Sequence, residues 1–301
     1  MNLKRDVVKH WQLYALMAVP MAFLLVFNYW PMLGTQIAFR NYNPILGIWR
    51  SPWAGLQQFR SLFSGPYFWP LIDNTLTLSI YYIIVSIPAQ VILAIALNEV
   101  RHRGFQRFIQ TVTYLPYFIS VVVVVGMMQI LLSPTAGPMA QIFHLFGNMN
   151  PPNLLGSASA FSSVYVWSGV WQETGYGAVI YLAALVGISP DLYEAAKIDG
   201  STRLQKIWYI DLPSLKPTIT ILMILSLGGL LTVGFEKVYL LQNYLNMSHS
   251  QIIATYVYET GILDGNVSFA EAVGLFQSVI ALIMIVIVNF TARRVSDTSL
   301  F

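Results

Sequence analysis

Residues 190–213 read Pro190-Asp-Leu-Tyr-Glu-Ala-Ala-Lys-Ile-Asp-Gly200-Ser-Thr-Arg-Leu-Gln-Lys-Ile-Trp-Tyr-Ile-Asp-Leu-Pro213 and form the most polar stretch between two strongly apolar ones. Ser189 is a good N-cap, Pro190 suits the first helical position, and Asp191 favours the positive end of the helix dipole. Leu192, Ala195, Ala196 and Asp199 fall at i, i+3, i+4 and i+7. They make one narrow, mostly small-sided face, with Tyr193, Glu194 and Lys197 on the others. Gly200 is expected to end the helix at positive φ. Ser201 is expected to cap a second helix running to about Ile210, which Pro213 stops.

Outward from this loop the chain becomes apolar. Of its 301 residues 56% are hydrophobic and 10% charged, with a mean hydropathy of +0.62. Soluble domains carry roughly 25% charged residues, so the composition argues for one polytopic membrane domain over 1–301. Six spans are expected, at about 11–33, 72–97, 108–132, 161–188, 215–235 and 271–292, each near the length a bilayer requires. Between them, Leu56–Phe63 and Met139–Phe146 read as short surface helices, and Ser250–Thr260 as a partly exposed one. The first span is too long for a removable signal peptide and is read as an anchor.

Charge orients the topology. Twelve of the 16 Lys and Arg residues fall at the N-terminus (Lys4, Arg5, Lys9), in 101–107, in 197–216 and at Arg293-Arg294. The positive-inside rule then puts both termini and the 190–213 loop in the cytoplasm. The same rule accounts for the net charge of +3 and pI near 9.0 without nucleic acid as a partner.

Enzymatic chemistry finds little support. There is no G-x-x-x-x-G-K-[ST] nucleotide loop, no H-E-x-x-H and no G-x-S-x-G. The four histidines are scattered, and cysteine is absent, which excludes disulfides and thiolate metal sites. No catalytic residue, metal ligand or cofactor site is therefore assigned. Glu173 is the informative intramembrane charge, near the middle of the fourth span, where a carboxylate usually faces a cavity or a partner. Trp171, Gln172 and Tyr176 lie beside it, and this set combines a ring able to stack on a sugar with groups that hydrogen-bond hydroxyls. Gln172, Glu173 and Tyr176 are the better placed for cavity contact, Trp171 projecting to another sector. A structural role, pairing Glu173 with a neighbouring subunit, is equally open. Glu236 and Lys237, at a span end, read as marking the interface or an ion pair. Gly228 and Gly229 offer a close-packing face.

Glu194-Ala195-Ala196, then Gly200, Ile210 and Leu212-Pro213, resembles the EAA loop of permease subunits of binding-protein-dependent ABC importers, complete at each defining position. Softer features, Ala18–Gly34, Phe39-Arg-Asn-Tyr and Thr113-Tyr-Leu-Pro-Tyr117, make the chain most similar to carbohydrate permeases related to the maltose system, nearest those for oligosaccharides from polysaccharide breakdown. The resemblance implies the type I importer fold, six spans with a cytoplasmic coupling helix, in a bacterial cell membrane. It implies that Leu192, Glu194, Ala195, Ala196, Asp199 and Gly200 couple to an ATPase subunit. The implied partners are a second, related but different permease, two ATPases holding ATP and Mg, and an external solute-binding protein. The other readings are an importer for a non-sugar solute and an ATP-independent carrier or membrane enzyme.

Overall fold

The computed structural model describes residues 10–147, 150–231 and 234–295. The charges Lys4, Arg5 and Lys9 lie outside them. Among the described residues the regular elements are all helices, with one isolated β-bridge, Arg40 to Trp53. The helices used below are α1 (Trp11–Phe39), α2 (Gln57–Ser64), α3 (Phe68–Glu99), α4 (Arg103–Tyr114), α5 (Val121–Leu131), α6 (Pro138–Leu145), α7 (Ala158–Val186), α8 (Pro190–Ile198), α9 (Arg203–Gly228), α10 (Phe235–Leu241), α11 (Ile253–Tyr258) and α12 (Val267–Val295). Four of them, α1, α3, α9 and α12, are each long and apolar enough to cross a membrane. The number rises to six if each of two bent pairs counts as one span.

One bent pair corrects the expected third span. Instead of a continuous helix over 108–132, Arg103–Phe118 and Val121–Leu131 meet at 98°. Pro116 lies in a 3-10 turn, Leu115–Phe118, and Ser120 restarts the helix by accepting from the Val123 amide. A broken helix inside a bilayer needs its freed carbonyls satisfied. Gln172 of α7 does this, its amide donating to the Ile119 carbonyl at 2.9 Å.

A second correction concerns Pro213. It does not stop a helix, because α9 runs on to Gly228. Ile207–Asp211 is a π turn in which the Leu212 amide reaches back five residues to Ile207. Widening the helix just before the proline accommodates its ring and missing donor. The start of α9 also shifts: Thr202, not Ser201, is the N-cap, in a reciprocal capping box with Gln205.

The chain forms two compact units, one of Met1–Gly65 with Val257–Phe276, the other of Pro66–Tyr256 with Gln277–Phe301. In the first, Arg40 organises the segment after α1. Its guanidinium donates to the Ser51 carbonyl at 2.8 Å and the Trp49 carbonyl at 3.1 Å, and lies 5.6 Å from the Trp53 ring centroid. Phe39 also stacks on Trp53, the ring centroids 5.9 Å apart. Residues of α1 up to Leu33 are almost wholly exposed within the chain, as an apolar helix is when lipid or another subunit covers it.

The second unit is built on α3 against α7. Leu78, Val124, Val166, Val238 and Ile252 centre one core cluster, and Ala94, Ala178, Tyr181, Leu185 and Leu215 another. Small residues set the helix approaches. A Cβ at Gly175 would collide with the Thr113 carbonyl of α4, and one at Gly228 with the Ile285 side chain of α12. Gly228 thus serves packing within the chain. The segment after α9 is pinned by polar bonds that satisfy its irregular backbone: the fully buried Asn246 donates to the Leu155 and Leu241 carbonyls, and Asn74 of α3 to those of Ser248 and Gln251.

Candidate functional site

Near mid-length of α3 and α7, a cavity of about 300 Å³ opens within the second unit. Tyr82 and Ser86 come from α3, Tyr165, Gly169 and Glu173 from α7, and Lys237 from α10; Ser226 and Gly229 line it where α9 ends. Tyr82 donates its hydroxyl to Glu173 Oε2. The Lys237 ammonium lies 5.4 Å from the Tyr165 ring centroid and has no hydrogen-bond partner among the described residues. Gly169 lets the Tyr82 ring and the Lys237 ammonium approach the α7 backbone: a Cβ there would sit 2.9 Å from Tyr82 Cε2 and 3.4 Å from Lys237 Nζ. Glu173 is exposed in the isolated chain, whereas Lys237 is buried. An exposed carboxylate halfway along so apolar a helix calls for water or a polar partner, because lipid tails solvate it poorly.

The four α7 residues singled out from sequence separate. Glu173 alone lines the cavity. Gln172 is buried and committed to the Ile119 carbonyl. Tyr176 is half exposed and stacks on Tyr117 at 4.0 Å, the rings 8° from parallel. Trp171, also half exposed, lies beside Val112, Pro116 and Thr174 in a second, apolar recess. One further neighbour, Trp167, donates to the Tyr81 hydroxyl at 3.0 Å. Sequence reasoning missed Tyr82 and read Lys237 as an interface mark or half of an ion pair. Among the described residues Lys237 forms no ion pair. The signal available was its isolation, a lone cation between the apolar runs of α9 and α12.

At the far ends of α3 and α9 the 190–213 loop forms a second site. Ser189 caps α8 by accepting from the Asp191 amide, and Pro190 occupies its first turn. Gly200 has φ +73°, with Ser201 N–H bonded to the Ala196 carbonyl and Gly200 N–H to that of Lys197. This is the Schellman closure that a helix-terminating glycine makes. Leu192, Glu194, Ala195, Asp199 and Gly200 are exposed and Ala196 half-buried, so the small face is open for a partner. The opposite side is braced. Tyr193 donates to Asp211 Oδ1 at 2.7 Å, Lys206 pairs with Glu99 at the end of α3, and the Lys206 ammonium lies 5.4 Å from the Tyr193 ring centroid. Burial, then the bond to Asp211, pushes the Tyr193 phenol well above its ordinary pKa, so it remains a donor. Among the described residues no group of three or more His, Asp or Glu is gathered as a metal ion would need.

Comparison with known proteins gives a consistent result. The family model described as "binding-protein-dependent transport system inner membrane component" matches residues 72–297. The protein LplB of Bacillus subtilis (strain 168) is 40% identical over 99% of this chain and 92% of its own length. From the same organism, the polygalacturonan/rhamnogalacturonan transport system permease protein YteP is 39% identical over 96% and 90%. In the crystal structure of a bacterial ABC transporter involved in the import of the acidic polysaccharide alginate, one chain superposes with a TM-score of 0.91 at 36% identity, covering 98% of this chain and all of that one. The alginate transporter in complex with an alginate pentasaccharide-bound periplasmic protein gives 0.92 at 35%, covering both chains fully.

Proposed function

The chain belongs to the binding-protein-dependent transport system inner membrane components, as a permease subunit of a carbohydrate ABC importer, and from that membership we propose that it passes an acidic oligosaccharide released by polysaccharide breakdown. The single observation that carries the path is the cavity that Tyr82 of α3, Glu173 of α7 and Lys237 of α10 line together. The acidic substrate is supported by the alginate, polygalacturonan and rhamnogalacturonan in the descriptions of similar proteins.

On this reading 1–301 is one permease domain of six spans, each bent pair contributing one, with both termini and 190–213 in the cytoplasm. A second, related permease covers the exposed faces of α1 and α7 and closes the cavity. An external binding protein delivers the sugar. The chain itself performs no chemistry; two partner ATPases bind ATP and Mg, and α8 seats Leu192, Ala195 and Ala196 in a groove of one of them. Closure of the ATPases pushes α8, and Tyr193–Asp211 and Lys206–Glu99 hand the displacement to α9 and α3. Glu99 and Tyr82 are 17 residues apart on α3, about 25 Å at 1.5 Å per residue, so a rigid helix carries it to the cavity. Access then alternates as a shift between two states.

The test is ATP-driven uptake by the complete importer in proteoliposomes, comparing a short oligogalacturonate with a neutral oligosaccharide of equal length. Uptake of the oligogalacturonate supports the reading; uptake of the neutral sugar alone overturns its acidic part.

A further inference from the structure

Three observations about Lys237 stand apart from the general pathway. It is 8% exposed, and its ammonium has no hydrogen-bond partner among the described residues. No described carboxylate comes within 4 Å of it: the cavity's own, Glu173, accepts from the Tyr82 hydroxyl and acts on the ammonium only through space. Beside the ammonium the wall is the bare backbone of Gly169, against which Tyr82 packs so closely that a Cβ there would sit 2.9 Å from its ring and 3.4 Å from Lys237 Nζ. A buried cation is costly unless an opposite charge or several acceptors meet it. A structural lysine would be expected to find that partner within its own chain, as Lys206 does.

We infer that Lys237 is the specificity-determining contact of the cavity, binding a uronate carboxylate of the passing sugar while Tyr82 and Glu173 hold its hydroxyls. This rests on the acidic-saccharide reading above. The division of labour follows from the chemistry. Glu173 repels a carboxylate but accepts from hydroxyls, and the buried Tyr165 ring under the ammonium holds the lysine in place. An ammonium–carboxylate bond is roughly twice as strong as a neutral one. A neutral sugar leaves the ammonium with only the through-space charge of Glu173, so the cavity discriminates by charge as well as by shape.

The experiment uses the complete importer in proteoliposomes, with the binding protein saturated beforehand by a galacturonate trisaccharide or by its methyl ester, so that the binding protein's own preference divides out. In Lys237→Met, uptake of the free acid should fall about tenfold and that of the ester by less than about twofold. Lys237→Arg, which keeps the charge, should retain most of the free-acid uptake. Assembly should persist in both variants. Equal loss for acid and ester, or loss of assembly in Lys237→Met that Lys237→Arg does not rescue, would make the lysine structural and overturn the inference, as would unchanged uptake of both. A wild-type importer that moves neither sugar would overturn the acidic-saccharide reading itself, and so is told apart from failure at Lys237.

Discussion

The Tyr193 hydroxyl lies 2.7 Å from Asp211 Oδ1, joining the 190–198 helix to the π turn from which the next membrane helix rises. Asp211 is fully buried, and its other carboxylate oxygen has no described hydrogen-bond partner. The tyrosine is therefore the group that meets this carboxylate, and it fixes α8 relative to α9. Tyr193→Phe should leave the assembled importer intact but lower the sugar moved per ATP hydrolysed several-fold. Uptake and hydrolysis measured on the same proteoliposomes check this; an unchanged ratio would remove the pair from the coupling path.

Gly200 sits at φ +73° with open space around it, so a substitution there acts through the backbone alone. Gly200→Val should cost about 1–3 kcal/mol of local strain and tilt or fray the end of α8. The expected result is weakened binding-protein-stimulated ATP hydrolysis in an assembled complex, with Gly200→Asn milder because asparagine tolerates this region better.

Gln172 should behave as a structural residue. Gln172→Leu leaves the Ile119 carbonyl at the 98° bend without its 2.9 Å donor, a loss of about 1–3 kcal/mol for a buried unsatisfied group. Thermal unfolding of the purified complex should shift downward while the preference among sugars is unchanged. A changed preference at constant stability would instead return Gln172 to the pathway.

Gly175→Ala should be more damaging than its size implies. Its Cβ would be driven into the Thr113 carbonyl, forcing α7 and α4 apart at a cost of about 1–3 kcal/mol. Reduced yield of folded complex and a lowered unfolding temperature are expected.

The parts of this fold that were legible are those governed by neighbours in sequence. Ser189, Pro190 and Gly200 act within a few residues of themselves, so the limits of α8 follow from local backbone chemistry. Surface helices at 57–64 and 138–145 lie within a residue or two of their expected positions for the same reason. Pro213 misled because its usual effect assumes regular α geometry, which the π turn before it replaces. The break at Ile119-Ser120 depends on an amide 53 residues away. The cavity depends on side chains from α3, α7 and α10 meeting, which no periodicity reports; Glu173 was legible only because one charge inside a span is conspicuous. Tyr82 is hidden beside another tyrosine in an apolar run, where an interfacial or packing role is the ordinary reading.

On the proposed path, sugar passes beside the Tyr82–Glu173 pair. The most direct measurement is an electron cryo-microscopy map of the complete importer, bound to its oligogalacturonate-loaded binding protein and trapped with its ATPases closed on a non-hydrolysable ATP analogue. Sugar density within hydrogen-bonding distance of Tyr82 and Glu173 is the predicted result. Density held instead against Trp171 and Tyr176, with the Tyr82–Glu173 cavity filled by side chains of the partner permease, would contradict it.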